Sequence, residues 1–361
     1  MEGAWLHSGV PSSQHPTPPE PRDETLHDNR AVHLSLAHPR CRSAVSICQT
    51  QVAPLNNPDV GRIQFCCHNS RYSAQMQLSV VVPVRNEEHR IGAQLDALLD
   101  QEVDGDWEII VVDNGSTDGT VALIESYTER SDRVRLVKAN ERADQSYAAN
   151  AGVAASSASA VVFCDGDDIV AKGWLAAMAH GLQSHDVVTG CSELDLLNPA
   201  WLADCRGRSA EGPVVGSFAG IFPVVQGNSY GVRFPVWEKI GPLNDGFFPV
   251  ADVEFSFRCW INGIEIVSLP EAVVHYRYRQ SARDLWRQGW KYGSHRPMIA
   301  RLLRDAGRQT PARFSGWKSW VLLLVTVPTI VTRHGRVRWL WVAANRLGQI
   351  AGSVRHRIIM L

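Results

Sequence analysis

Two runs of apolar residues in this sequence end abruptly in carboxylates and glycine. One run leads into Asp113-Asn114-Gly115, and the other leads into Asp165-Gly166-Asp167, 52 residues further along the chain. Each run is typical of a buried strand in a parallel sheet, which is covered on both faces. In an open α/β sheet, ligands bind beyond the carboxyl ends of the strands. The pattern therefore predicts an α/β fold with acidic groups in one ligand crevice.

Predicted strands and helices alternate from Leu78 onward. The strands cover 78–84, 107–113, 134–138, 160–165 and 186–190, and the helices cover 87–102, 146–155 and 172–183, with one more opening near Ser116 or Thr117. Repeated strand–helix–strand units predict a mostly parallel central sheet flanked by helices. The second half is less regular, and it predicts helices over 235–240, 252–262 and 281–305 and a strand over 264–268.

Positive charge is concentrated at the end of the chain. From Arg277 to Leu361 there are 17 lysines and arginines but two acids, a net charge of +15, so the remainder carries −16 of the total of −1. Six of the 12 tryptophans also lie there, and Trp320–Thr332 carries no charge. That run is shorter than the ~20 residues that span a bilayer.

These features predict a basic, tryptophan-rich helical tail over 281–361 that binds an anionic membrane surface. The expected location is cytoplasmic, peripheral on the inner face of the cell membrane. A helix packed on the folded domain and a solvated basic face are the alternatives. Nucleic acid is not an expected partner, because no recognition motif accompanies the basic residues.

The first 75 residues differ in composition from the rest. Residues 1–75 are rich in Pro, His, Ser and Arg and show no sustained periodicity, which predicts a disordered leader. No basic start is followed by an apolar core, so the segment is not a secretory signal. A start codon assigned too far upstream is the alternative, and it is favoured by Met76, directly before the first strand. The eight cysteines are interpreted as free thiols of a reducing cytosol.

The Asp165-Gly166-Asp167 turn is a candidate metal site. Mg²⁺ and Mn²⁺ prefer oxygen ligands and bridge to phosphate oxygens, and Gly166 lets the backbone approach a diphosphate closely. A solvated turn is the alternative. The first strand is followed by neither a GxGxxG loop nor a Walker A lysine, which excludes dinucleotide and P-loop sites. The carboxylate of Asp113 is suited to bind a base or ribose, or else to cap the following helix.

Three ordered motifs together resemble family 2 glycosyltransferases. They are Ser79-Val80-Val81-Val82-Pro83-Val84-Arg85-Asn86-Glu87-Glu88, Val112-Asp113-Asn114-Gly115-Ser116-Thr117-Asp118 and Asp165-Gly166-Asp167-Asp168. The resemblance spans about 78–279 and implies a nucleotide-diphospho-sugar transferase domain of the GT-A type over 76–280. Residues 76–200 would form its nucleotide-sugar half, and 201–280 its acceptor half.

The resemblance also implies roles for individual residues on the donor side. Asp113 would hold the nucleotide base, with Pro83, Val84 and Glu87 lining the same pocket. Asp165 and Asp167 would bind the metal, Mg²⁺ or Mn²⁺, and Asp165 would also contact the donor. His275 matches a histidine that approaches the metal or the leaving phosphate in some relatives; a strand-end histidine bonded to backbone is the alternative. Asn150 and Gly152 match an Asn-x-Gly of the family.

On the acceptor side, residues 252–258 resemble the family segment that supplies the catalytic base, which maps to Asp252. The family usually has Glu before this base, and here the residue is Ala251; Ala149 also replaces a common Arg. Glu254 is interpreted as a supporting residue.

The function implied is metal-assisted transfer of a sugar from a nucleotide-diphospho-sugar to a hydroxyl of a glycan or lipid-linked acceptor. The transfer would invert the anomeric centre and serve polysaccharide, glycolipid or cell-envelope glycan synthesis. A non-catalytic sugar-nucleotide-binding relative is one alternative, suggested by Ala251 and Ala149. A sugar-1-phosphate nucleotidyltransferase is another, although it would need a glycine-rich, basic loop after the first strand, which the sequence lacks.

Overall fold

The fold is described from a computed structural model that covers residues 77–206, 215–312 and 316–360. The leader predicted over 1–75 lies outside the described residues. The strands are β1 (Leu78–Val84), β2 (Trp107–Asp113), β3 (Val134–Lys138), β4 (Ala160–Cys164), β5 (Ile169–Val170), β6 (Val187–Glu193), β7 (Gly216–Phe218), β8 (Phe222–Val224), β9 (Ser229–Arg233) and β10 (Ile266–His275).

The helices are α1 (Ile91–Leu99), α2 (Thr120–Thr128), α3 (Gln145–Ala155), α4 (Trp174–Ser184), α5 (Ala200–Arg206), α6 (Phe234–Ile240), α7 (Ala251–Ile261), α8 (Ala282–Asp305), α9 (Trp317–Val325) and α10 (Arg333–His356). Short 3-10 turns cover Asp245–Phe247 and Val327–Val331.

Eight strands form one sheet in the order β3-β2-β1-β4-β9-β6-β10-β5. Six of them run in the same direction, whereas β9 and β5 pair antiparallel with their neighbours. The prediction of a mostly parallel sheet flanked by helices is therefore confirmed. The strand β9, which lies between β4 and β6, was not predicted. β7 and β8 form a separate antiparallel pair.

Both faces of the sheet are buried, as the apolar runs predicted. Val80 and Val82 of β1 point into a core cluster that also contains residues of α1, α2 and α4. Val81, between them, points into the opposite cluster, with residues of α3, α6 and α7. Successive strand residues face opposite sides of a sheet, so β1 can be buried along its whole length only if helices cover both faces.

The helix after β2 begins later than the sequence predicted. Its first residue is Thr120 rather than Ser116 or Thr117. The carboxylate of Asp113 accepts the backbone N–H groups of Gly115 and Ser116, and these bonds close a turn instead of a helical start.

The tail is built on α8 and α10, which pack against each other through glycines. A Cβ on Gly289 would lie 3.1 Å from the Ala344 Cβ, and one on Gly293 would lie 2.1 Å from the Asn345 carbonyl oxygen. On the α10 side, a Cβ on Gly348 would lie 2.5 Å from the Trp290 carbonyl oxygen. The two backbones therefore approach as closely as glycine permits.

The same two helices contact the α/β domain. Ile299 and Leu303 of α8 belong to one of its core clusters, and Val337 of α10 packs in a third cluster with Leu202 of α5. For α8 and α10, the alternative of a helix packed on the folded domain is therefore observed. No helix of the described ranges combines the length and the apolar character needed to cross a bilayer.

Candidate functional site

A cavity of about 1340 Å³ opens where β1 and β4 end, and a second one of about 310 Å³ shares part of its wall. Pro83, Glu87, Asp165 and Asp167 line both. Val84 lines the smaller one. The sheet thus brings together five of the predicted donor and metal residues, because β1 and β4 are parallel neighbours whose carboxyl ends meet.

The carboxylates after β4 crowd one another. The Asp165 carboxylate accepts a hydrogen bond of 2.7 Å from Gln145 Nε2, and Asp167 forms an ion pair of 3.0 Å with the Arg279 guanidinium. Burial holds the pKa of Asp165 well above its usual range, and the neighbouring Asp168 and Asp167 charges raise it further. The ionised form of Asp165 is therefore disfavoured by its surroundings in the protein.

Asp168 has a connecting role that the sequence did not indicate. It is almost completely buried, and its two oxygens accept hydrogen bonds of 2.8 Å from Asn228 Nδ2 and from the Arg277 backbone N–H. Burial, with a contribution from the Asp167 charge, raises the pKa of Asp168 to about 7. Asp168 thus joins the turn after β4 to the start of β9 and to the segment after β10.

Glu87 closes the cavity on the side of β1. Its carboxylate forms an ion pair of 2.7 Å with Arg90. Burial raises the pKa of Glu87 above its ordinary value, and the Asp167 charge raises it further. The negative charges of Glu87 and Asp167, which line the same cavity, therefore repel each other.

Asp113 is the predicted donor residue that the structure does not bring into either cavity. It is buried, and its carboxylate accepts the two backbone N–H groups of the following turn, at 3.2 Å and 3.1 Å. Its neighbour Asn114 lines the smaller cavity instead. Asn114 Nδ2 donates to the carbonyl oxygens of Ala139 and Arg142, both at 2.6 Å. A role for Asp113 in holding the base stays a prediction.

Asp252 lies in the first turn of α7 and lines the larger cavity. Burial raises its pKa to about 6, although the backbone N–H groups of Val253 and Gly227 donate to its carboxylate. A Cβ on Gly227 would lie 2.9 Å from Asp252 Oδ2. Only glycine at position 227 therefore leaves the carboxylate its present position.

The second acid of this segment, Glu254, does not line either cavity. Glu254 is buried and forms an ion pair of 2.9 Å with Arg258. Arg258 also donates to the carbonyl oxygens of Gly241 and Pro242, at 3.0 Å and 2.9 Å. Glu254 and Arg258 thus fix the loop before the 3-10 turn.

The side chain of Asn150 forms two hydrogen bonds with the backbone of Leu243. Its side-chain Nδ2 donates to the Leu243 carbonyl oxygen at 2.7 Å, and its Oδ1 accepts the Leu243 N–H at 2.9 Å. Leu243 lines the larger cavity. Gly152, two residues further on, lies against the sheet, where a Cβ would be 2.5 Å from Val81 Cγ1. Asn150 therefore connects the two predicted halves, and Gly152 lets α3 lie close to the sheet of its own half.

His275 ends β10 and does not line either cavity. Its Nδ1 lies 2.6 Å from Glu193 Oε2 on the neighbouring strand, so its partner is a carboxylate and not backbone. Arg277 and Arg279, which follow it, do line the larger cavity. The metal role of His275 stays a prediction. No group of three or more His, Cys, Asp or Glu side chains suited to a metal was found in the described residues.

One wall of the larger cavity comes from the tail helix α8, which the sequence interpretation had placed outside the site. Asp284, Arg287, Gln288 and Lys291 line it. Their spacing of three and four residues puts them on one side of a helix, which is the signal that was present in the sequence.

Comparisons with known proteins agree with this architecture. Residues 79–198 match the sequence model of glycosyl transferase family 2. Glycosyltransferase AglE of Haloferax volcanii is 33% identical over 199 residues, which are 54% of this chain and 65% of that protein. An uncharacterized glycosyltransferase of Nostoc sp. is 28% identical over 223 residues, 56% of this chain and 65% of that protein. The chain thus covers slightly less than two thirds of these relatives.

A solved structure supports the fold. It is the mannosyltransferase PcManGT from Pyrobaculum calidifontis in complex with GDP-Man and Mn²⁺, with a TM-score of 0.55 and 18% identity over 78% of this chain and 87% of that one. At this identity the likeness concerns the fold alone, and it confirms the GT-A type predicted from the sequence.

Proposed function

We propose that this chain, whose residues 79–198 match the sequence model of glycosyl transferase family 2, transfers a sugar from a nucleotide-diphospho-sugar to a hydroxyl acceptor. The observation that carries the proposal is that Asp165, Asp167 and Asp252 line one cavity. A transferase of this kind needs a cation beside the diphosphate leaving group and a base beside the acceptor; Asp165 and Asp167 could hold the cation, and Asp252 could act as the base.

The smaller cavity is proposed to take the nucleotide. It lies beside the ends of β1 and β2, between Val84, Asn114 and Asp144, and it opens toward Asp165 and Asp167. A nucleotide there would direct its diphosphate toward the larger cavity. That the Pyrobaculum mannosyltransferase was solved with GDP-Man and Mn²⁺ supports a nucleotide-sugar donor for this chain too.

Asp165 and Asp167 fit a divalent cation, Mg²⁺ or Mn²⁺, by their chemistry. Carboxylate oxygens are the ligands these cations prefer. Burial raises the pKa of Asp165, and the neighbouring Asp168 and Asp167 charges raise it further; a bound cation would favour the ionised carboxylate. When bound, such an ion would neutralise charge on the departing diphosphate. Arg279, paired with Asp167, adds a cation of the protein itself.

Asp252 is the proposed catalytic base. Its carboxylate would accept the proton of the acceptor hydroxyl while the hydroxyl oxygen bonds to the anomeric carbon and the bond to the diphosphate breaks. A pKa near 6 leaves Asp252 ionised at neutral pH and makes it a stronger base than an ordinary aspartate. Because a single displacement attacks the face opposite the leaving group, the anomeric configuration would be inverted.

The acceptor is proposed to be a glycan or lipid-linked molecule of polysaccharide, glycolipid or cell-envelope synthesis. Its space is the part of the larger cavity between Asp252 and α8. Ala251 also lines this space, so the carboxylate that the family usually has there is missing from the wall. The intact Asp252 environment favours a catalytic protein over a sugar-nucleotide-binding relative without activity.

A membrane surface is proposed as a partner of α9 and the turn after it. Leu324 is 75% exposed, Val325 65% and Val331 83%, and the exposed Arg333 and Arg336 follow directly. Apolar side chains next to arginines suit the interface of an anionic membrane, where two signals are needed for stable binding. The cytoplasmic, inner-face location remains a prediction.

The membrane proposal is tested by flotation with vesicles. Leu324→Glu combined with Val325→Glu is expected to reduce recovery with anionic vesicles, and Leu196→Glu, an exposed apolar residue outside the tail, serves as the control. Equal recovery with neutral and anionic vesicles, or no effect of the double variant, would refute the membrane role.

The donor site is tested with Asp167→Ala. Calorimetry with UDP or GDP in the presence of Mn²⁺ is expected to show binding to the native protein and none to the variant, while the exposed Asp132→Ala behaves as the native protein. Turnover of a labelled donor then separates an enzyme from a binding protein. Unchanged nucleotide affinity of Asp167→Ala would remove the metal assignment.

A further inference from the structure

Residues 276–280, which lie between β10 and α8, are bonded to the acidic turn after β4. The Arg277 backbone N–H donates to Asp168 Oδ1 at 2.8 Å, and Arg277 Nε donates to the Asp167 carbonyl oxygen at 3.0 Å. Asp168 is almost completely buried, so the first of these hydrogen bonds is shielded from water. The segment is therefore held against the turn two residues before Arg279.

The other side of this segment is fixed by Asn198, which is also buried. Its Nδ2 donates to the Tyr276 carbonyl oxygen at 2.6 Å, and its Oδ1 accepts the Tyr278 backbone N–H at 2.8 Å. The backbone that carries Arg279 is thus anchored on both sides, whereas the Arg279 side chain is 41% exposed. Because a partly exposed side chain can change rotamer without any change of the backbone, the guanidinium can change partners while the segment stays in place.

The Arg279 guanidinium lies among carboxylates. It forms an ion pair of 3.0 Å with Asp167, whose side chain is 13% exposed. Burial raises the pKa of Glu87 and of Asp165, and the positive charge of Arg279 opposes that rise at both groups. Arg279 therefore acts as a counter-ion for three acidic side chains of the site.

Arg279 also lies where the two cavities meet, since it lines both. The proposed function puts the donor diphosphate at this junction and a divalent cation on Asp165 and Asp167. A cation bound by Asp167 would repel the guanidinium that the same carboxylate holds. A diphosphate beside them would offer that guanidinium several oxygens, and arginine binds phosphate groups through paired N–H donors.

We propose that Arg279 is an exchangeable counter-ion, which neutralises Asp167 in the unliganded protein and moves to the donor diphosphate when a divalent cation binds. The inference rests on the proposed function, since it concerns the cation and the diphosphate of the same site. Arg279 opposes the binding of the cation alone and favours the binding of the nucleotide to the cation-loaded protein. The cation and the nucleotide would therefore bind cooperatively, each increasing the affinity for the other.

The test measures two affinities of the full chain. Electron paramagnetic resonance of free Mn²⁺ gives the affinity for Mn²⁺ without nucleotide, and calorimetry gives the affinity for UDP and for GDP at saturating Mn²⁺. The variants are Arg279→Gln, which removes the charge, and Arg279→Lys, which keeps it. Arg283→Gln is the matched control, because Arg283 is exposed and lines neither cavity.

We expect the two affinities of Arg279→Gln to change in opposite directions. Mn²⁺ alone should bind about tenfold more tightly than to the native protein, and the nucleotide that the native protein binds should bind about tenfold more weakly, each the effect of one charge-assisted contact. Arg279→Lys should keep a Mn²⁺ affinity close to the native one, because the competing charge is still present. Arg283→Gln should change neither affinity.

Two results would overturn the exchange. If Arg279→Gln binds Mn²⁺ no more tightly than the native protein does, Arg279 does not compete with the cation; a residue that only supports the turn would lose both affinities. If its nucleotide affinity is unchanged, Arg279 does not reach the diphosphate. Either result leaves the proposed function standing as long as the native protein binds UDP or GDP with Mn²⁺, whereas a native protein that binds neither nucleotide refutes both proposals.

Discussion

Replacing Asp252 by asparagine is expected to make the protein more stable and to remove sugar transfer. Burial raises the pKa of Asp252 from 3.8 to about 6, so the folded protein holds this proton more tightly than the unfolded chain does. Stability therefore falls as the pH rises from about 4 through 6, and the full cost of the buried charge is present above pH 6. A shift of about two pKa units corresponds to about 3 kcal/mol.

The asparagine side chain would carry no charge, and its amide oxygen can still accept a backbone N–H. Water in the cavity screens part of the charge, so we expect Asp252→Asn to gain about 1–3 kcal/mol at pH 8 and little at pH 4. Denaturant unfolding of both proteins at the two pH values measures this difference. Asp132→Asn, an exposed acid in the turn before β3, is the control and should show no such pH-dependent gain.

The same variant tests the base. Turnover is expected to fall by about 10²–10⁴, the usual contribution of a general base, while nucleotide affinity stays near that of the native protein. The native activity should decline as the pH falls through about 6, where Asp252 becomes protonated. A variant that gains no stability at pH 8 would contradict the buried charge, and one that keeps its turnover would exclude Asp252 as base.

Two further substitutions test, by denaturant unfolding, how α3 packs on the sheet and on the loop that contains Leu243. Gly152→Ala should destabilise the fold by about 1–3 kcal/mol, because its Cβ would lie 2.5 Å from Val81 Cγ1. The control Gly92→Ala should be neutral or stabilising, because its Cβ would meet nothing closer than 3.6 Å. Equal losses of stability in the two variants would refute the close approach of Gly152 to Val81. Asn150→Ala should lower the free energy of unfolding by about 1–3 kcal/mol, because it leaves both backbone groups of Leu243 unpaired. The control Asn262→Ala breaks one exposed hydrogen bond and should lower it by less than half as much. Similar losses in the two variants would mean that water replaces the hydrogen bonds to Leu243.

The donor half was predictable largely because β1 and β2 are apolar runs buried on both faces. The predicted bounds of β1, β2 and β3 agree with the structure residue for residue, although β3 is an edge strand that carries the exposed Arg135 and Lys138. The predicted start of α2 was wrong because the sequence does not show which backbone N–H groups the Asp113 carboxylate will accept hydrogen bonds from. Asp113 binds the two amides that would have begun the helix.

The acceptor half could not be predicted to the same extent. β9 has five residues and lies between β4 and β6, which precede it in the chain. Its place in the sheet depends on long-range pairing, and no local pattern in Ser229–Arg233 specifies that. The same limit applies to Asp168: its position in an acidic turn was evident, but its bonds to Asn228 and Arg277 join segments that lie 60 and 109 residues away.

The tail illustrates how one helix can serve two surfaces. A polar stripe at helical spacing can face water or a cavity, and the sequence alone does not distinguish them; α8 turns Arg287 and Lys291 toward the cavity and Gly289 and Gly293 toward α10. Because a Cβ on Gly293 would lie 2.1 Å from the Asn345 carbonyl oxygen, the position of α8 depends on its contact with α10. The α8 wall of the cavity therefore depends on the same contact that holds the tail together, so deleting α10 would disturb the cavity as well as any membrane contact. Substitutions of Leu324 and Val325 on α9 would separate the membrane contact from the shape of the cavity. Both side chains are exposed, so changing them would leave the contact between α8 and α10 in place.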